Sequence, residues 1–235
     1  LIQITPSFCE KACLFSAGTE DTECAIVLAR TWGRSIRREK INIISYSGSM
    51  HGITAGAEML RGNSQVSEIL GYSDPHAYRL PFPYPWDIDV DSSYDWTKRF
   101  EADLAGLKEK DLAFKNIAAF FLEPFQGWGA IFYPKPYIKA LERFARKYNI
   151  LIIFDEIQGG FGRTGKMFAF EHYGIQPDLI CVGKGFSGSL PLSGVIGRKK
   201  IMDLPQIRGS MHSTHSGNPL SCAVGLANLN FFKKN

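Results

Sequence analysis

The sequence predicts an α/β fold with a mainly parallel central sheet flanked by helices. Short, wholly apolar runs of strand length alternate with helical patterns, and one helical pattern leads straight into such a run. Residues able to do chemistry follow directly after the runs. Strand, helix, strand in that order means βαβ units, whose parallel strands are covered on both faces.

Taken in chain order, Glu20 to Arg30 reads as a helix and Ile41 to Tyr46 as a strand. Tyr72 to Trp96 carries four prolines (Pro75, Pro81, Pro83 and Pro85) and many aromatics, so it reads as a long irregular excursion. Ile117 to Leu122 is the next strand. Pro134 to Asn149 is helical: a proline sits near its start, with Ile138, Leu141, Phe144, Ala145 and Tyr148 on one face. Ile150 to Phe154 follows at once, apolar on both faces as the middle of a covered sheet requires. Leu179 to Val182 and Ser193 to Ile196 complete the strands, and Pro219 opens a helix running to about Leu229.

Composition narrows the function. Of the 235 residues 45% are hydrophobic and 21% charged, an ordinary globular balance that excludes collagen, coiled coil and a mostly disordered chain. Lys and Arg number 27 against 23 Asp and Glu, and a net charge of +4 is too small to argue for nucleic acid or an anionic membrane. The longest apolar runs are strand-sized, so no transmembrane helix is expected, and no basic segment precedes an apolar leader. Cys9, Cys13, Cys24, Cys181 and Cys222 are odd in number and lack zinc-site spacing; they read as reduced, buried thiols of a cytoplasmic protein with no metal site. A chain that begins at Leu1 is expected to be a piece of a longer one.

In a parallel sheet the ligand crevice lies beyond the carboxyl ends of the strands. Glu123 follows Leu122, Asp155 follows Phe154, and Lys184 follows Val182 after one glycine. A carboxylate behind buried apolar residues is costly without a partner, so three such residues on one rim suggest a site. Lys184 lies between Gly183 and Gly185, where a ligand can approach closely. Partial burial there lowers an ammonium pKa, and a neutral lysine amine can form a Schiff base. Gly18 and Thr19 lead into the helix near Glu20, where backbone N–H groups and the helix dipole favour an anion. An acid opposite a lysine, with a phosphate-ready helix start, describes pyridoxal phosphate (PLP), Asp155 keeping the ring nitrogen protonated. The competing motif is Gly160-Phe161-Gly162-Arg163-Thr164-Gly165, a formal G-x-G-x-x-G. Asp155 to Gly159 separate it from the strand and no helix opens at Gly165, which counts against a dinucleotide site.

Asp155-Glu156-Ile157-Gln158-Gly159-Gly160-Phe161-Gly162-Arg163-Thr164-Gly165, then Pro177-Asp178, then Gly183-Lys184-Gly185, closely resembles the signature of class III PLP-dependent aminotransferases. Ser16-Ala17-Gly18-Thr19-Glu20, His51-Gly52, Glu123-Pro124-Phe125-Gln126-Gly127 and Thr214-His215-Ser216-Gly217-Asn218-Pro219 fall in the same order and spacing. The resemblance implies the large domain of a fold type I PLP-dependent transferase over residues 1–235, with an N-terminal segment and a C-terminal small domain absent. It implies that Lys184 carries the Schiff base and moves the proton, and that Asp155 pairs with the pyridine nitrogen. Ile157 would pack on the ring and Gln158 approach its phenolic oxygen. Gly18 and Thr19 would hold the phosphate, with Thr214 reaching in from the other subunit of a homodimer. Glu123 resembles the glutamate that pairs with a mobile, gating arginine. Met50 and His51 fall at the cofactor face, where Met50 replaces the family's usual aromatic; Ala17 replaces its usual serine. The activity implied is amino transfer between an amine or ω-amino acid and a keto acid. A decarboxylase or epimerase of the same family, or a catalytically incompetent fragment, are the alternatives.

Overall fold

The computed structural model describes all residues except 62–63, 87–92, 109–111, 208–210 and 235, and the side chain of Ser64. Its strands are β1 (Lys11–Phe15), β2 (Asn42–Tyr46), β3 (Ala77–Leu80), β4 (Ile117–Leu122), β5 (Phe125–Gln126), β6 (Ile131–Phe132), β7 (Leu151–Asp155), β8 (Leu179–Val182) and β9 (Ser193–Gly197). The helices are α1 (Gly18–Ile36), α2 (Ala55–Arg61), α3 (Ser64–Leu70), α4 (Trp96–Lys108), α5 (Lys135–Lys147), α6 (Lys199–Met202) and α7 (Pro219–Lys234). Seven strands form one sheet in the order β1-β9-β8-β7-β4-β2-β3. From β8 to β3 every pairing is parallel, and β9 runs against both β8 and β1. The carboxyl ends of β1, β2, β4, β7 and β8 therefore share one edge.

Alternation along the strands divides the core in two. Ile43, Phe121, Ile153, Cys181 and Val195 face α1, whose Cys24, Ala25, Leu28 and Ala29 cover them. Ile44, Phe120, Ile152, Phe154 and Ile180 face the other way, against the cluster holding Tyr137, Ile138 and Leu141 of α5. Both faces are apolar because both are covered, and each such side chain contributes about 1.5–3 kcal/mol by leaving water. By the same alternation Asp155 falls on the α1 face, two residues after Ile153.

The predicted strands and the helices α1, α5 and α7 are present, with ends shifted by a few residues. The Tyr72–Trp96 excursion needs correction. It contains β3, a four-residue edge strand that continues the sheet beside β2, and Trp96 opens α4; residues 87–92 of it lie outside the described residues. Prolines on either side of so short a run hid its register. The thiols also need correction: all five are free, but only Cys9, Cys24 and Cys181 are buried, Cys13 and Cys222 being half-buried. No helix among the described residues is long and apolar enough to cross a membrane.

α1 passes close over the start of β2. A Cβ on Gly33 would lie 1.8 Å from the carbonyl oxygen of Lys40. The buried Lys40 ammonium in turn donates to the carbonyls of Ile117 (2.6 Å) and Tyr148 (3.0 Å), tying helix, sheet and the end of α5 together. Alanine is the better helix former by about 1 kcal/mol, yet Gly33→Ala is expected to lower unfolding free energy by at least about 3 kcal/mol. Denaturant titration checks this; an unchanged or raised midpoint contradicts the close approach.

Candidate cofactor site

The first fixed point is the start of α1. Glu20 Oε2 accepts from the backbone N–H of Ser16 (2.9 Å) and of Ala17 (2.8 Å), taking the place of the absent capping side chain. The N–H groups of Gly18 and Thr19 are left without a partner among the described residues, at the positive end of the helix dipole. The Thr19 hydroxyl is engaged elsewhere. It accepts from the N–H of Thr54 (3.2 Å) and lies 2.7 Å from Thr54 Oγ1, which donates to Glu23 Oε1 at 2.5 Å. With the Thr54 proton directed to Glu23, Thr19 donates to Thr54, and its backbone rather than its side chain remains for an anion.

The second fixed point is Asp155 at the end of β7, only 2% exposed. Its Oδ1 accepts from the N–H of Ile157 (3.1 Å), and His51 Nδ1 lies 2.8 Å from its Oδ2. Because the carboxylate oxygen accepts, the proton in this contact sits on His51 Nδ1. His51 is buried edge-on against Phe121 with ring centroids 4.7 Å apart, and its Nε2 has no hydrogen-bond partner among the described residues. Thr22 Oγ1 donates to the His51 carbonyl at 2.5 Å, so α1 also fixes this loop.

Lys184 is the third. It has φ of +41°, in the left-handed region that a non-glycine residue enters at a cost of roughly 1–2 kcal/mol. Its ammonium donates to Gln158 Oε1 at 2.5 Å. Partial burial of Lys184 was expected; instead the side chain is exposed at the mouth of the site.

A cleft of about 510 Å³ brings Gly18, Thr19, Met50, His51, Ile157 and Lys184 together, with residues 187–192 along its far wall. Asp155 and Gln158 do not border it: Asp155 stands behind His51 and Ile157, and Gln158 beside Lys184. A Cβ on Gly18 would lie 2.7 Å from Ile157 Cδ1, so the glycine is what lets the helix start approach that side chain. Glu123 stands outside the cleft lining. Its Oε1 accepts from the N–H of Met50 and its Oε2 from that of Gly127, each at 2.9 Å, and among the described residues no arginine pairs with it. Burial first, then the nearby Asp155, push its carboxyl pKa up. Its structural task is to hold the Met50–His51 loop. Thr214 lies exposed on a turn before α7, away from the cleft lining.

Sequence reasoning missed Glu23, Thr54 and Glu156. Glu156 points away from Asp155 and accepts from the N–H groups of Ala169 (2.9 Å) and Phe170 (2.8 Å); burial pushes its pKa up to about 8. It caps the short turn at Ala169–His172, beyond the glycine-rich turns at 160–165, where Phe161, Gly162 and Gly165 have positive φ. No helix starts there, as a dinucleotide fingerprint would need. An acidic residue adjacent to another gave no sequence signal for which of the two faces the site. No cluster of His, Cys, Asp and Glu that could hold a metal is found among the described residues.

The Aminotransferase class-III family profile matches residues 1–235. The chain belongs to the class III aminotransferase family. It is 37% identical to the 4-aminobutyrate aminotransferase of Mycobacterium leprae, over 97% of this chain and 51% of the relative. The crystal structure of an (S)-enantioselective ω-transaminase from Thermomicrobium roseum superimposes with a TM-score of 0.87 at 34% identity, covering 99% of this chain and 53% of that one. An amine transaminase from an uncultivated Pseudomonas species, solved in its PLP-bound form, gives 0.83 at 28% identity over 97% of this chain and 53% of its own. The class III chain described here thus spans about half the length of the curated relatives it matches.

The packing of the Met50–His51 loop on α1 can be tested directly. Gly52 has φ of +129°, and a Cβ there would lie 2.3 Å from Thr19 Oγ1. Gly52→Ala is expected to cost about 2–4 kcal/mol of unfolding free energy, through both strain and displacement of Thr19. A loss below about 0.5 kcal/mol in denaturant titration contradicts this packing.

Proposed function

We propose that this chain, residues 1–235, is the cofactor-binding large domain of a PLP-dependent transaminase. The single observation that carries the reading is the cleft at the carboxyl edge, where an open helix N-terminus, an apolar side chain and an exposed lysine amine converge. Class III aminotransferases use PLP, and this donor set fits it. Backbone N–H groups at Gly18 and Thr19 suit a phosphate, Ile157 offers an apolar surface to a ring, and a hydrogen-bonded acid stands behind.

Bound PLP supplies an aldehyde carbon for amine exchange and a ring that draws electrons. The Lys184 amine is the nucleophile and, once free, the base that takes and returns a proton at Nζ, with Gln158 Oε1 holding it by a hydrogen bond between turns. Asp155, whose carboxylate His51 and the Ile157 N–H hold in one orientation, would keep a proton on the ring nitrogen. Met50 presents a thioether where an aromatic is usual, a looser packing surface for a ring. The reaction proposed is amino transfer between an amine or ω-amino acid and a keto acid. In relatives of about twice this length, the part that this chain does not span would correspond to the rest of the substrate pocket, including a cationic partner for Glu123, and a second subunit of a homodimer would bring Thr214 to the phosphate. We place the protein in the cytoplasm, consistent with its free thiols.

Borohydride reduction of the PLP-loaded protein followed by peptide mapping is expected to find a pyridoxyl group on Lys184. Labelling confined to other lysines overturns the assignment. Lys184→Ala is expected to abolish turnover, measured as amino transfer to added pyruvate or 2-oxoglutarate. Asp155→Asn is expected to lower kcat by about a hundredfold or more while changing PLP affinity by less than about tenfold, since the role assigned to it is electronic. Equal losses in both quantities would make it a packing residue.

A further inference from the structure

Asp21 lies in the first turn of α1, one helical turn from Gly18, and is fully buried. Its Oδ1 is 2.9 Å from Ser193 Oγ and its Oδ2 accepts from the N–H of Gly194 at 3.0 Å, so it clamps α1 to β9. Its backbone carbonyl faces the thiol of Cys181 on β8, and Cys181 pairs in register with Asp155 on β7. The ionisable groups around it are the acids Asp155 and Glu20 and the thiols of Cys181 and Cys24. No lysine, arginine or histidine pairs with it among the described residues.

We propose that Asp21 is held as the neutral acid, and that its proton is what allows the start of α1 to accept the dianionic phosphate of the cofactor. The inference rests on the PLP reading and makes Asp21 a positioning residue for that same site. A carboxylate in this turn would set a second negative charge, beside that of Glu20, under the amides of Gly18 and Thr19. That charge would oppose the helix dipole's attraction for an anion. The carboxyl is fully buried, has no cationic partner among the described residues, and has Asp155 across Cys181, so ionisation is disfavoured by both solvation and charge. Burial, then the neighbouring acids, push the Asp21 pKa up to about 9 against the two hydrogen bonds that favour the anion. The contact with Ser193 serves either state, because the serine hydroxyl donates to the carboxylate and accepts from the acid. Nothing in the sequence distinguished Asp21 from an ordinary acidic residue at a helix start.

The test compares the chain with its Asp21→Asn variant, which keeps an acceptor for Gly194 and an N–H donor for Ser193 but cannot ionise. PLP dissociation constants are measured from pH 7 to 10 in a Lys184→Ala background, so that lysine attachment does not contribute. With Asp21 present the dissociation constant is expected to rise by about five- to tenfold more across pH 8–10 than in the variant. The second readout is unfolding of both chains without PLP. A carboxyl whose folded pKa lies above its unfolded one keeps a proton that unfolding releases, so its contribution falls from about pH 4 to about pH 9. The chain with Asp21 should therefore lose stability relative to the D21N chain as pH rises across that window and run parallel above it. Matching pH profiles of PLP binding in the two chains overturn the proposal, as does a pH-independent stability difference between them. Failure of both chains to bind PLP at any pH overturns the PLP reading instead, and with it the coupling to phosphate.

Discussion

The contact between His51 Nδ1 and Asp155 Oδ2 is the constraint on which the rest of the site depends. A carboxylate at the end of a buried strand must be supplied with donors, and β7 carries Asp155 to a place where water does not reach it. Two donors do so: the imidazole from the loop after β2 and the N–H of Ile157 from the loop after β7. Each has its own support. Thr22 of α1 holds the His51 carbonyl, and Glu123 after β4 holds the neighbouring N–H of Met50. Segments that follow four strands are thus linked through hydrogen bonds that all lead back to one acid.

Parallel topology explains why these loops meet at all. With β8, β7, β4 and β2 side by side and parallel, their carboxyl ends lie on one edge, and β1 delivers α1 to the same edge because β9 is reversed on both sides. Alternation then sorts the acids. Asp155 follows Ile153 onto the face covered by α1, whereas Glu156 turns the other way and caps the turn at Ala169 and Phe170. Residues adjacent in sequence thus hold the His51 loop on one side and a structural turn on the other because the pleat sends them to opposite faces.

Much of this was legible before the structure. Wholly apolar runs such as Ile117 to Leu122 gave the covered strands, and residues placed just after them gave Glu123, Asp155 and Lys184. What stayed hidden was what depends on distant pairing. β3 is too short and too proline-bound to show a period, and Glu23 and Thr54 look like ordinary surface residues until α1 and the loop before α2 are brought together. The exposure of Lys184 was also missed, because its left-handed backbone aims the side chain outward. Glu123 shows the limit of reading roles from motifs: both its oxygens hold backbone N–H groups, a task its position in the sequence does not reveal.

In the reading proposed here, three separate loops would present one ligand with a phosphate site, a ring face and an amine. A crystal structure of the chain with PLP tests it most directly. The phosphate is expected at the N–H groups of Gly18 and Thr19, the ring against Ile157 with its nitrogen toward Asp155, and the aldehyde carbon at Lys184 Nζ. Phosphate density elsewhere, for example in the 160–165 turns or beside Arg34 and Arg38 on the opposite edge of the sheet, would contradict it.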